Sequence, residues 1–142
     1  MTKKQVWLYG CAFCKKKGRS AVHIKRHEAS CTMNPNRICR MCKAGDAQKP
    51  IAELMAQLPD PNQYSWKDDF GFTQFSEPFE AALNEGVKRL RELTGNCPAC
   101  IMAALRQRKI PVPCAKEFKW DEEVKAFWDK ENELAVEQYE YP

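Results

Sequence analysis

The sequence predicts a small, mostly α fold, and three observations predict it. The chain has 142 residues, enough for one domain or for two small ones with modest cores. Apolar residues recur at the i, i+3, i+4, i+7 spacing of amphipathic helices in several stretches beyond residue 50. Six of the eight cysteines fall in three C-x2-C pairs, Cys11/Cys14, Cys39/Cys42 and Cys97/Cys100. Thiols paired this closely in a reducing compartment are metal ligands more often than disulfides. The fold is therefore read as zinc-stabilised, with two Zn²⁺ per chain supplementing the core.

Hydrophobic residues make up 44% and charged residues 30% of the chain, a balance that excludes a disordered polymer. No apolar run approaches the roughly 18 residues of a membrane span, so no membrane partner is expected. The start Met1-Thr2-Lys3-Lys4-Gln5 is followed by Val6-Trp7-Leu8-Tyr9-Gly10 and then a cysteine pair, which leaves no apolar stretch of the kind a secretory signal needs. The expected setting is intracellular and reducing. The net charge of +4 hides an asymmetry: residues 1–50 carry 12 Lys/Arg against 2 Asp/Glu, a net +10, whereas residues 51–142 carry 11 against 17, a net −6. The basic half is suited to an anionic partner.

The first element spans residues 1–38. Cys11, Cys14, His27 and Cys31 read C-x2-C-x12-H-x3-C, in which a tight thiol turn faces an i, i+4 pair on one helical side and can close a tetrahedron round Zn²⁺. The alternative set Cys11, Cys14, His23 and His27 leaves an eight-residue loop, short for a hairpin. The pattern resembles the ββα zinc finger in its Cys-Cys-His-Cys variant. That resemblance implies a hairpin followed by a helix, with Tyr9 and Ile24 at the family's apolar core positions. Where the family has a core Phe this chain has Gly18, so Phe13 or Val22 is expected to fill the space. Carrying over the family's base-reading helix positions places Ser20, His23 and Arg26 toward DNA. Lys15, Lys16, Lys17, Arg19 and Lys25 surround them with charge that suits phosphate.

Thr32 to Arg37 carry Asn34-Pro35-Asn36, a turn signal. His27-Glu28-x-x-Cys31, this turn and the next C-x2-C together resemble small zinc proteins encoded by tailed phages and prophages. The resemblance covers residues 9–42 and implies a bacterial cytoplasm during infection, or a place in the virion.

Residues 39–142 are expected to form a helical domain. Cys39 and Cys42 pair with Cys97 and Cys100 across 54 residues, giving four thiolates and no open coordination position. Ile51, Leu54, Met55 and Leu58 predict a short helix between Pro50 and Pro59. Residues 59–76, with two prolines, Gly71 and the rings Tyr64, Trp66, Phe70, Phe72 and Phe75, predict a packed irregular loop whose aromatics are buried. Phe79, Leu83, Val87, Leu90 and Leu93 predict a helix over 77–94, with Ser76 as N-cap and Gly95 as stop. Pro98 opens the next helix, ended by Pro111 and Pro113, and puts Cys97 and Cys100 around an N-terminus that favours thiolate. A loop knuckle with a helix start resembles a treble clef. Cys114 is left over and is expected as a buried small apolar residue. Trp120 or Asp121 begins an acidic C-terminal helix to about Tyr139, in a tail with nine acids against three lysines from Glu117 onward.

Catalysis is not expected. A thioredoxin-like pair needs a βαβ setting, a His-Asn-His nuclease needs histidines that the chain lacks after His27, and Asp68/Asp69 or Glu122/Glu123 are neighbours whose side chains diverge. The leading expectation is a nucleic-acid-binding module, DNA with weak sequence specificity, for which the resemblance of residues 9–42 implies the role of a phage-encoded regulator. The alternative is a protein-interaction or virion component contacting partners through the aromatic loop 59–76 or the acidic C-terminal helix.

Overall fold

A computed structural model of the chain describes residues 1–42, 44 and 47–139. The N-terminal unit is a minimal hairpin, β1 (Tyr9–Gly10) and β2 (Lys17–Gly18), followed by α1 (Ala21–Ser30). The strands are antiparallel, Tyr9 opposite Gly18 and Gly10 opposite Lys17. Ser20 caps α1 by accepting the N–H of His23 at 3.3 Å, satisfying one of the free donors of the first turn.

This unit has almost no apolar interior. Ile24 is buried, but Tyr9, Phe13 and Val22 are all exposed, so the core roles expected of them are not taken up. The physical reason lies at Gly18: a Cβ there would stand 3.3 Å from Ile24 Cδ1, so the isoleucine already occupies the space a core Phe would have filled. With so little area buried, cohesion has to come from the four clustered ligands.

The helical part contains α2 (Ile51–Met55), a single turn α3 (Pro61–Tyr64), a second hairpin β3 (Ser65–Lys67) and β4 (Thr73–Phe75), then α4 (Glu77–Thr94), α5 (Pro98–Gln107) and α6 (Trp120–Tyr139). Its core gathers Leu54 of α2 and Leu58 just beyond it, Phe79, Leu83, Val87 and Leu90 on one stripe of α4, and Ile101, Ala104 and Leu105 on α5. Gly86 lets α2 approach α4, since a Cβ there would lie 2.7 Å from the Gln57 carbonyl oxygen. At the end of α4, Gly95 and Asn96 both take positive φ, 62° and 63°, and the Asn96 N–H returns to the Arg91 carbonyl at 3.0 Å. This left-handed stop reverses the chain within two residues and delivers Cys97 as the N-cap residue of α5.

Residues 59–76 differ from the packed loop expected. They form the β3–β4 hairpin, with Trp66 opposite Gln74. Tyr64 and Phe75 pack on Phe79, at centroid distances of 5.7 and 4.6 Å, whereas Trp66, Phe70 and Phe72 are exposed. Strand alternation is the cause: Phe75 points to the core, so the alternate face carrying Trp66 points away. Asp68 organises the tip, its Oδ1 accepting the N–H of Phe70 and of Phe72 at 3.0 and 2.9 Å. Gly71 supplies the positive φ of 81° that the turn requires.

Arg91 clamps α6 to α4. It donates to the Glu117 carbonyl at 3.0 Å and forms a two-armed pair with the Glu123 carboxylate. Beyond this clamp the helix leaves the core, and residues 129–138 are all exposed. Cys114 lies in a 3₁₀ turn, Val112–Cys114, and is half-buried against the core rather than fully enclosed. Among the described residues, no helix is long and apolar enough to cross a membrane.

Candidate metal centres

The first centre is assembled by the hairpin and α1. Cys11 directly follows β1, and its N–H donates to the Lys16 carbonyl at 2.9 Å. The turn between them aims its own N–H groups at sulfur, Phe13 to Cys11 Sγ at 3.4 Å and Lys16 to Cys14 Sγ at 3.5 Å. Glu28 of α1 accepts the Ala12 N–H at 2.9 Å, which pins the thiol turn against the helix. The ligand atoms of Cys11, Cys14, His27 and Cys31 all lie within 4.8 Å of one another, with His27 Nε2 3.2 Å from Cys14 Sγ. His23 is exposed and lies outside this group, so the alternative set with two histidines is not the one the fold brings together.

The second centre joins the loop after the linker to the start of α5. Cys39, Cys42, Cys97 and Cys100 also converge within 4.8 Å. Cys39 Sγ stands 3.6 Å from Cys97 Sγ, and Cys42 Sγ 3.8 Å from Cys100 Sγ. Sulfurs bound at ~2.3 Å to a tetrahedral zinc are about 3.8 Å apart, and a disulfide would need them at ~2.0 Å. All eight cysteines are free. Both donor sets therefore fit Zn²⁺, through which each centre would hold four ligands and no open position.

Charge supports the same conclusion. Hydrogen bonds from Cys100 and Cys97 hold the Cys39 thiol far below its usual range. Although Cys100 also donates toward Cys97, the bond to Cys39 and burial push Cys97 up to about 12, and Cys100 is raised by the same thiolate neighbour. Four clustered sulfurs, three of them on buried residues, cannot all ionise side by side unless a cation sits among them. At the first centre, burial opposes ionisation of Cys11 but the N–H groups of Phe13 and Cys14 win and lower it, while burial raises Cys31.

Side chains with no metal-ligand signature complete the second centre. Arg37, only 6% exposed, donates from Nη1 to Cys100 Sγ at 3.6 Å. Gln48 fixes the approach, donating to the Arg37 carbonyl at 2.8 Å and accepting the Cys39 N–H at 2.7 Å. The linker is held on both sides: Asn34 donates to the Glu28 carbonyl at 2.8 Å, and Gln107 of α5 donates to the carbonyls of Thr32 and Asn34 at 2.8 and 3.0 Å. These bonds tie the finger to the helical part between the two centres. Sequence reading missed Arg37, Gln48 and Gln107, and the one available hint was the turn signal around Asn34-Pro35.

The basic side chains expected to hold phosphate, Lys15, Lys16, Lys17, Arg19, Lys25 and Arg26, are exposed, as is His23. Ser20 is half-buried, with its hydroxyl oxygen engaged in capping. No family model, curated protein or solved structure matches the chain.

Proposed function

We propose that this chain is a zinc-stabilised nucleic-acid-binding module rather than an enzyme, with the N-terminal finger as its contact surface. One observation carries the reading. Among the described residues, the ion pairs are Lys88 with Glu85, Arg91 with Glu123 and Lys116 with Glu80, all in the helical part, so the cations of the finger are exposed and uncompensated. Glu28, the one acid in residues 1–31, is turned inward to the Ala12 N–H. A surface of this kind attracts phosphate through counterion release and makes binding strongly salt-dependent. The binding-module reading is also supported by the use of His27 in a four-ligand cluster, which leaves His23 as the other imidazole in the chain.

A second reading has its own observation. Trp66, Phe70 and Phe72 stand exposed on the β3–β4 hairpin, and such rings suit a protein partner, as in the interaction or virion role. The phage setting itself rests on the resemblance of residues 9–42.

Salt titration of binding to nucleic-acid fragments tests the leading reading. Replacing Lys15, Lys16 and Lys17 by Ala together should weaken binding to every sequence alike and flatten the log–log slope by about 2–3 units. Absence of binding even at low salt would favour the protein-interaction role.

A further inference from the structure

Duplexes and single strands call for different side chains. A duplex stacks its base faces inward and shows only edges, which polar groups on a helix read in the major groove. A single strand leaves base faces open, and proteins hold it with aromatic rings set among cations. The surface of the finger is furnished for the second task.

Three aromatic residues lie in the first 31 positions, Trp7, Tyr9 and Phe13, and their exposures are 84%, 40% and 41%. None is needed for the interior, because Ile24 fills the space beside Gly18. The hairpin sets β1, which carries Tyr9 and directly follows Trp7 and Leu8, antiparallel to the segment that carries the cations. Gly10 faces Lys17, and the Cys11 N–H reaches the Lys16 carbonyl. Phe13 sits in the thiol turn, two residues before the run Lys15-Lys16-Lys17. Residues 1–31 hold 8 Lys/Arg against Glu28 alone, a net +7, which complements a phosphate backbone. The edge-reading face is poor by comparison: Ser20 Oγ is occupied in capping, and exposed Val22 interrupts the polar positions of α1.

We infer that the finger prefers single-stranded nucleic acid, with Trp7, Tyr9 and Phe13 stacking on bases while Lys15, Lys16, Lys17 and Arg19 hold phosphates. The inference rests on the nucleic-acid reading above and specifies its ligand. Stacking depends on a π-face common to all bases, so the preference is for strandedness and not for sequence.

The test uses the full zinc-loaded chain with a labelled oligo-dT, an oligo-U and a duplex of equal length, followed by fluorescence anisotropy at low salt. At least one single strand should bind about tenfold or more tighter than the duplex. The double variant Trp7→Ala/Phe13→Ala should lose that advantage while keeping its duplex affinity and its zinc content. Because both rings are exposed, retained zinc shows that the finger is still folded. Intrinsic fluorescence adds a second readout: the quenching on single-strand binding should shrink in Trp7→Ala. A duplex bound as tightly as the tighter of the two single strands, or a double variant with unchanged single-strand affinity, would overturn the preference and leave the nucleic-acid function standing. No binding to any of the three probes would overturn both.

Discussion

Replacing Arg37 by Met probes how the fold holds its second metal centre. Arg37 Nη1 donates to Cys100 Sγ at 3.6 Å from a position only 6% exposed. Four thiolates round a dication leave that centre with a formal charge of −2, and the guanidinium offsets half of it inside a low-dielectric surrounding. Methionine keeps an unbranched apolar stem and removes the charge and the sulfur hydrogen bond. A hydrogen bond to a charged group contributes about 1.5–3 kcal/mol. Arg37 Nε is buried without a partner, and methionine removes that cost from the folded state as well, which holds the net loss to the lower part of this range. The expected loss is therefore about 10–100-fold in zinc affinity at this centre, in the range usual for partners that support metal ligands. A chromophoric chelator titrated against Arg37→Met should withdraw one Zn²⁺ at lower chelator concentration than from the parent chain and the other unchanged. Cys100→Ser gives the outer bound: structural zinc at about 10–16 kcal/mol rivals the stability of a domain, so the helical spectrum should collapse. Coincident release of both ions from Arg37→Met and the parent would refute a supporting role for the guanidinium.

At the first centre, His23→Ala should keep its zinc and Cys31→Ala should lose it, because only Cys31 shares the cluster with Cys11, Cys14 and His27. Zinc content after dialysis of the two variants checks this, and the opposite pattern would reassign the ligands. Affinity at the second centre should rise with pH. Sulfur neighbours and burial push Cys97 up to about 12 and raise Cys100 as well, so zinc binding must displace a proton from each of these thiols, and log affinity should climb by about two per pH unit across neutrality. Competition titrations across neutral pH measure the slope, and a flat profile would contradict the assignment. Gly86→Ala should destabilise the chain despite alanine's helix-propensity advantage of about 1 kcal/mol. The new Cβ would meet the Gln57 carbonyl oxygen at 2.7 Å, and a denaturant midpoint equal to or above the parent's would show that α2 yields freely.

What the sequence disclosed was local. Ligand spacings of two, three and twelve residues, the Ser76 and Gly95 boundaries of α4, and Pro98 at the start of α5 are each written in one short window, and the fold follows them. Features that depend on distant partners were not legible. Arg37 finds Cys100 across 63 positions, and nothing around an arginine in a turn-rich linker marks it as part of a metal centre. Composition alone reads the rings of residues 64–75 as buried, yet strand alternation turns Phe75 inward and Trp66 outward. Asp68 and Gly71 flanking Phe70 could have signalled the hairpin. The finger resemblance places Tyr9, and either Phe13 or Val22, in a core that Ile24 fills instead, a packing outcome that spacing alone does not carry.

The central claim is that two Zn²⁺ ions, held by seven thiolates and one imidazole, keep this chain folded. Native mass spectrometry of the protein purified without chelator tests it most directly. The predicted result is one dominant folded species carrying two zinc ions and lacking seven thiol protons, which acid converts to the metal-free unfolded chain. A folded species that is dominantly metal-free, or that carries a single zinc, would contradict the account.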